Sequence, residues 1–137
     1  MTKTLAVLDT NVIISSIFWK GKEHEVVKRG LEGDYSIVLS KDIIDEVVRK
    51  LRDKFRFPEE KIKELLALLE HFCVVITTKT RLKFIKDDPT DDKIVETALD
   101  GKADFIVTGD NQLLKLKEYK GIKILKAREF LELIKNE

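Results

Sequence analysis

Residues 5 to 18 read Leu5-Ala6-Val7-Leu8-Asp9-Thr10-Asn11-Val12-Ile13-Ile14-Ser15-Ser16-Ile17-Phe18, and the architecture follows from them. Four apolar residues without polar alternation predict a short strand covered on both faces. Asp9, Thr10 and Asn11 close that strand, after which Val12, Ile13, Ile17 and Phe18 recur at helical spacing. A strand, a turn and a helix in so short a span are the opening of a parallel α/β unit.

The alternation continues along the chain. Residues 23–31 predict a helix stopped by Gly30 and Gly33, and residues 35–39 a second strand. Ser40 is placed to cap a helix over 42–55, whose Ile43, Ile44, Val47, Val48, Leu51 and Phe55 form one apolar stripe. Pro58, Glu59 and Glu60 open a further amphipathic helix through Leu69, because proline and acids suit a helix's first turn. Residues 72–76 return to strand. A polar stretch from 77 to 89 leads into a helix over 90–99 ended at Gly101, then a strand over 104–108 stopped by Gly109 and Asp110. A short helix at 113–116, a strand at 121–125 and a helix at 127–134 complete the pattern. Such strands, rich in Val, Ile and Leu, predict a three-layer α/β/α sandwich around a parallel sheet.

The 137 residues, against roughly 100 to 200 for a typical domain, predict a single domain spanning 1–137. A composition 43% hydrophobic and 37% charged, with two prolines, excludes intrinsic disorder and fibrous repeats. With 26 basic and 25 acidic residues the net charge is +1, so any site for a polyanion must be local. The single cysteine, Cys73, has no partner for an internal disulfide and reads as a small core residue. The apolar run before Asp9 is too short for the core of a signal peptide, and no window reaches the roughly 18 apolar residues of a membrane span. The expectation is a cytoplasmic protein without membrane contact.

In open parallel sheets ligands gather beyond the carboxyl ends of the strands, where strand order reverses. Acids stand there. Asp9 follows the first strand and Asp110 the fourth, Glu46 lies in the helix after the second, and Asp91 opens the helix leading into the fourth. Each also has an ordinary explanation. Asp9 can cap the helix after it, and Asn11 can turn the chain or hold Asp9 through its amide. Glu46 lies about 60° outside its helix's apolar stripe, as on a solvated face. Asp91 and Asp92 suit a helix's first turn, and Asp110 belongs to a turn-like Thr108-Gly109-Asp110-Asn111 sequence. Of the pair, Asp91 is preferred as the residue facing the rim. Phe18, Trp19, Phe55, Phe57 and Phe72 read as core and subunit contacts rather than base-stacking platforms.

Clustered carboxylates repel one another unless a cation neutralises them, and Mg²⁺ or Mn²⁺ is the hard ion suited to oxygen ligands. Such an ion activates water and stabilises charge on a phosphoryl group, which points to phosphodiester hydrolysis. His24 and His71 are the only histidines and neither adjoins the proposed rim, so a histidine acid–base pair has little support. Lys20, Lys22, Lys41 and Lys93 lie near the rim-facing loops, where they can pair with phosphates or simply be solvated.

Taken together, the segments LDTNVIISSIF, LSKDIIDEVVRKL, DDPTDDKIVETALDGKADFIVTGDNQLL and GIKILKAREFLELI resemble the PIN domain in content and order. They look most like the prokaryotic branch of toxin components of toxin–antitoxin pairs, related to the VapC-type toxins. The resemblance implies a metal-dependent ribonuclease on a five-stranded parallel sheet of order 3-2-1-4-5. It places the family's acids on Asp9, Glu46, Asp91 and Asp110, as catalytic and metal-holding residues, with Asn11, Thr108 and Asp92 in support. Where many relatives carry a further acid this chain has Gln112, so the resemblance implies one firm ion position. It also implies an RNA substrate, a cognate antitoxin and a homodimer, for which Leu65, Leu66, Leu68 and Leu69 are candidate contacts. The alternatives are a catalytically weak PIN-fold module binding RNA or protein, and a phosphatase using Asp9 as nucleophile, which would want an acid where Asn11 stands.

Overall fold

The computed structural model describes residues 3–82 and 89–135, with residues 89–91 described by backbone alone. Its elements are β1 (Leu5–Leu8), α1 (Thr10–Phe18), α2 (Lys22–Leu31), β2 (Ser36–Ser40), α3 (Lys41–Asp53), α4 (Glu59–Phe72), β3 (Val74–Ile76), α5 (Pro89–Asp100), β4 (Phe105–Val107), α6 (Asn111–Leu116), β5 (Glu118–Tyr119), β6 (Ile122–Leu125) and α7 (Ala127–Lys135). The strands form one sheet in the order β3-β2-β1-β4-β6-β5. Its first five positions are parallel and reproduce the expected 3-2-1-4-5 order.

The difference is β5, a two-residue edge strand antiparallel to β6. Lys120 and Gly121 join the two strands with φ of 49° and 85°. Two consecutive left-handed residues make the tight turn whose twist suits a hairpin, and glycine takes that conformation without strain. Nothing in the two residues Glu118 and Tyr119 marks them as a strand by periodicity.

Neighbouring residues on β2 show that both faces of the sheet are covered. A Cβ placed at Gly30 in α2 would lie 2.4 Å from Ile37 Cδ1, and one at Gly101, just past α5, would lie 2.6 Å from Val38 Cγ1. Because successive strand side chains point to opposite faces, α2 and the end of α5 press on the sheet from opposite sides. Both approaches are closer than a methyl group permits. The three-layer expectation therefore holds, and Ala6, Val7, Leu8, Ile37, Val38 and Leu39 are all buried.

On the α2 face, α7 packs beside α2. Phe130 of α7 sits edge-on to Tyr35 at 4.8 Å between ring centroids, and Tyr35 donates its hydroxyl to the carbonyl of Val26 at 2.6 Å. Cys73 is half-buried, and burial pushes its thiol up to about 12, which leaves it protonated and unreactive at neutral pH.

Several apolar residues lie elsewhere than expected. Phe18, Trp19, Phe55 and Phe72 are exposed, Trp19 at 62%, so they are not core residues. Phe18, Phe55 and Phe72 stand at or just past the last turns of α1, α3 and α4. Phe18 stacks on Phe55 at 4.8 Å and meets Phe57 edge-on at 5.6 Å. Helix α4 also runs through Phe72, so β3 begins two residues later than the expected strand.

The strand ends position the site. β1 lies at the centre, with β2 on one side and β4 on the other, which makes the end of β1 the point where strand order reverses. The amide of Asp9 donates to Val107 O at 3.0 Å and that of Thr108 donates to Leu125 O at 3.0 Å. Asp9, Thr108 and Lys126, which follow β1, β4 and β6, therefore form a row along one rim.

Candidate active site

Asp9 leaves β1 with extended backbone and caps α1. One carboxylate oxygen accepts the amide of Asn11 at 3.4 Å, and the other accepts the Thr108 hydroxyl at 2.6 Å. The residue is only 5% exposed. Burial raises the pKa of its carboxyl above the usual range, the hydrogen bonds from Thr108 and Asn11 pull it back, and the negative charge of Asp110 adds to the rise. Lys50 is the cation that opposes these effects.

Asp110 performs the corresponding task at α6, accepting the amides of Gln112 at 2.8 Å and Leu113 at 3.2 Å. Both bonds fall on Oδ1, so Oδ2 makes no hydrogen bond among the described residues. The amide of Asp110 donates to the Thr108 hydroxyl at 3.0 Å while that hydroxyl donates to Asp9. One buried threonine thus couples the two acids. Asp9 is thus both helix cap and rim residue, as each reading had it, while Asp110, expected in a turn, also stands at the rim and caps α6.

Glu46 is buried at 7% exposure, not solvated. Its position outside the stripe does not leave it open, since α3 is packed against α1, α4 and α5 as well as β2. One oxygen accepts the Arg49 guanidinium, and the other lies 3.6 Å from Lys50 Nζ. Lys50 also donates to Asn11 Oδ1 at 3.3 Å. Lys50 therefore joins Glu46 on α3 to the loop that carries Asp9, and the sequence reading missed it. Its spacing four residues after Glu46 on one helix was the available signal. The side chain of Asn11 serves Lys50; it is the backbone of Asn11, not its amide group, that holds Asp9.

The side chain of Asp91 lies outside the described residues, while Asp92 is buried. Among the described residues no group of three or more acids, histidines or cysteines is gathered closely enough to hold a metal ion. His24 bonds Ser16 O through Nδ1 and His71 sits edge-on to Phe72, and neither is paired with an acid among the described residues. The described rim thus holds two acids coupled through Thr108 and a third tied to them by Lys50. Their hard oxygens and surplus negative charge fit a divalent cation in kind.

Over residues 5–112 the chain matches the PIN domain family. The chain belongs to that family. No curated protein matches the chain. PIN domains are generally nucleases acting on nucleic acids, and typically use divalent metal ions. The PIN match takes in Asp9, Asn11, Glu46, Asp91, Asp92, Thr108 and Asp110, and ends before β6 and α7. No helix among the described residues is long and apolar enough to cross a membrane.

Proposed function

We propose that this PIN domain is a metal-dependent endoribonuclease, in which Asp9, Glu46, Asp91 and Asp110 hold Mg²⁺ or Mn²⁺. The observation that carries the reading is the Asp9 carboxylate, buried where strand order reverses and opposed by the charge of Asp110. A fold that buries a carboxylate beside another acid at a ligand-binding rim has a use for a cation there. When bound, the ion supplies the positive charge that activates water and offsets charge on the phosphate.

The chain's own residues do the rest. Thr108 and the Asn11 backbone N–H fix both oxygens of Asp9, and the first turn of α6 fixes Asp110 with Oδ2 left available. Lys50 and Arg49 hold Glu46, and Lys50 brings a positive charge to the same rim. Asp92 supports α5, the helix that carries Asp91. Replacing Thr108 with Val removes the donor to Asp9 and the acceptor for the Asp110 amide. Loss of an outer partner of this kind is expected to weaken Mn²⁺ binding by about 10- to 100-fold, read by calorimetric titration.

The same proposal includes a cytoplasmic toxin of a toxin–antitoxin pair, with an antitoxin protein as partner. That role is supported by the resemblance of the LDTN, DPTDDK and VTGD segments to that branch. The proposed homodimer would use Leu68 and Phe72, exposed on α4, and Val74 beside it, rather than the buried Leu69.

The deciding experiment is digestion of mixed total RNA with Mg²⁺, with Mn²⁺ and with chelator. Discrete metal-dependent cuts leaving 5′-phosphate and 3′-hydroxyl ends are expected. No cuts in any condition, together with Mn²⁺ affinity indifferent to replacement of Asp9 and Asp110, would replace this reading with the binding module.

A further inference from the structure

A cavity of about 400 Å³ opens beside the acid rim, between the start of α2 and the start of α7. Asn11 and Thr108, the two residues that bond Asp9, form part of its wall. The rest of the wall carries Lys22, Lys126 and Arg128 against one carboxylate, Glu23. None of these three cations makes an ion pair among the described residues. The rim is therefore polarised, with acids grouped around Asp9 and unpaired positive charge immediately beyond Thr108.

Two local features keep that charge in place. Lys126 follows β6, hydrogen-bonded through Thr108 to the strand row, and its amide is taken by Glu129 of α7 at 2.9 Å. Lys22 opens α2 after Gly21, which supplies no capping side chain, so free backbone N–H groups stand beside the lysine, with Glu23 and Glu25 in the same turn. Lys126 and Arg128 lie past the end of the PIN match, so the family match assigns them nothing.

We propose that this cavity receives one nucleotide of single-stranded RNA adjacent to the phosphate being cut, with Lys126 and Arg128 paired to that nucleotide's phosphate and Lys22 closing the opposite wall. The inference rests on the ribonuclease reading and assigns to that site the three side chains that hold the neighbouring nucleotide. The volume falls in the roughly 300 to 1,000 Å³ range of small-ligand pockets, room for one nucleotide turned out of its stack. A duplex keeps its bases stacked inside and offers only its outer backbone, whereas unpaired strands splay bases into pockets. The polarity also gives a direction, because the acids take the phosphate that reacts and the cations take its neighbour.

The test is anisotropy of a fluorescent single-stranded RNA oligonucleotide titrated with the protein in chelator, at several salt concentrations. The double variant Lys126→Gln/Arg128→Gln is expected to bind at least about 10-fold more weakly at low salt. Its dependence of log K on log salt should be shallower by about 0.7, the value for one lost phosphate contact on a single strand. Lys22→Gln should give a smaller loss in the same direction. Affinity and slope unchanged in the double variant, or no binding by the unmodified protein, would overturn the assignment. An equal loss of affinity for the matching duplex would overturn the preference for single strands. Manganese titration separates the two readings: the nuclease reading fails if Mn²⁺ affinity ignores Asp9 and Asp110, and the cavity fails if RNA affinity ignores Lys126 and Arg128.

Discussion

Asp9→Asn is expected to abolish metal-dependent RNA cleavage while raising the melting temperature at neutral pH. The loss of activity should exceed the roughly 10- to 100-fold cost of removing an outer partner, because this residue is itself a proposed ligand. The stability change has the opposite sign. Burial and Asp110 raise the Asp9 pKa in the folded protein, so the carboxyl favours folding most when protonated. That contribution is complete below the ordinary carboxyl value of 3.8 and is lost as pH rises through the raised folded value. An amide never ionises, so it escapes the loss.

Asparagine also caps helices about as well as aspartate. Its single oxygen can keep only one of the two bonds, the 2.6 Å bond from Thr108 or the 3.4 Å capping bond from Asn11, so the loss of the other offsets part of the gain. A rise of about 3 °C for each kcal/mol relieved is expected near pH 7, with the gap closing toward pH 3. Thermal melts across that range, alongside the cleavage assay, test both halves. Undiminished cleavage would remove Asp9 from the mechanism, and a lower melting temperature at neutral pH would show that its hydrogen bonds outweigh its burial.

Phe130→Ala should give the largest loss of stability. The ring is fully buried, edge-on to Tyr35 at 4.8 Å and near Phe105 at 5.7 Å. Truncating a buried phenylalanine costs about 3 to 5 kcal/mol through lost transfer energy and the cavity left behind. Against a typical stability of about 5 to 15 kcal/mol, that is a large share. Urea unfolding monitored by circular dichroism measures it. The result also bears on domain organisation, since Phe130 lies beyond the PIN match. A single cooperative transition displaced by this amount would support the proposal that residues 1–137 fold as one domain. A shift under about 1 kcal/mol would show that α7 is dispensable to the core.

The parallel sandwich was legible because its inner strands are continuous apolar runs, a pattern set by local sequence. Asp9 and Asp110 were legible because a strand end is marked locally and the rule about carboxyl ends needs nothing more. What remained hidden depends on distant partners. Glu46 is buried although it stands outside its helix's apolar stripe, and Lys50 reaches Asn11 across 39 positions; neither fact leaves a trace in helical periodicity. β5 is too short to show a period and is specified by its turn. Lys126 follows β6 as Asp9 follows β1, but a lysine at a strand end does not stand out in a chain rich in lysine.

Under the proposed function Asp9 and Asp110 would have two duties, cap and ligand, which bears on how such a site would decay. Both carboxylates hold helix starts together, so a lineage that gave up cutting would still be held by folding to Asp, Asn or Ser at these positions. Glu46 has no such obligation to the backbone, since its partners are the side chains of Arg49 and Lys50. Position 46 is therefore where abandonment of catalysis would be written first, and among descendants of this chain an intact glutamate there is the better sign of a working enzyme.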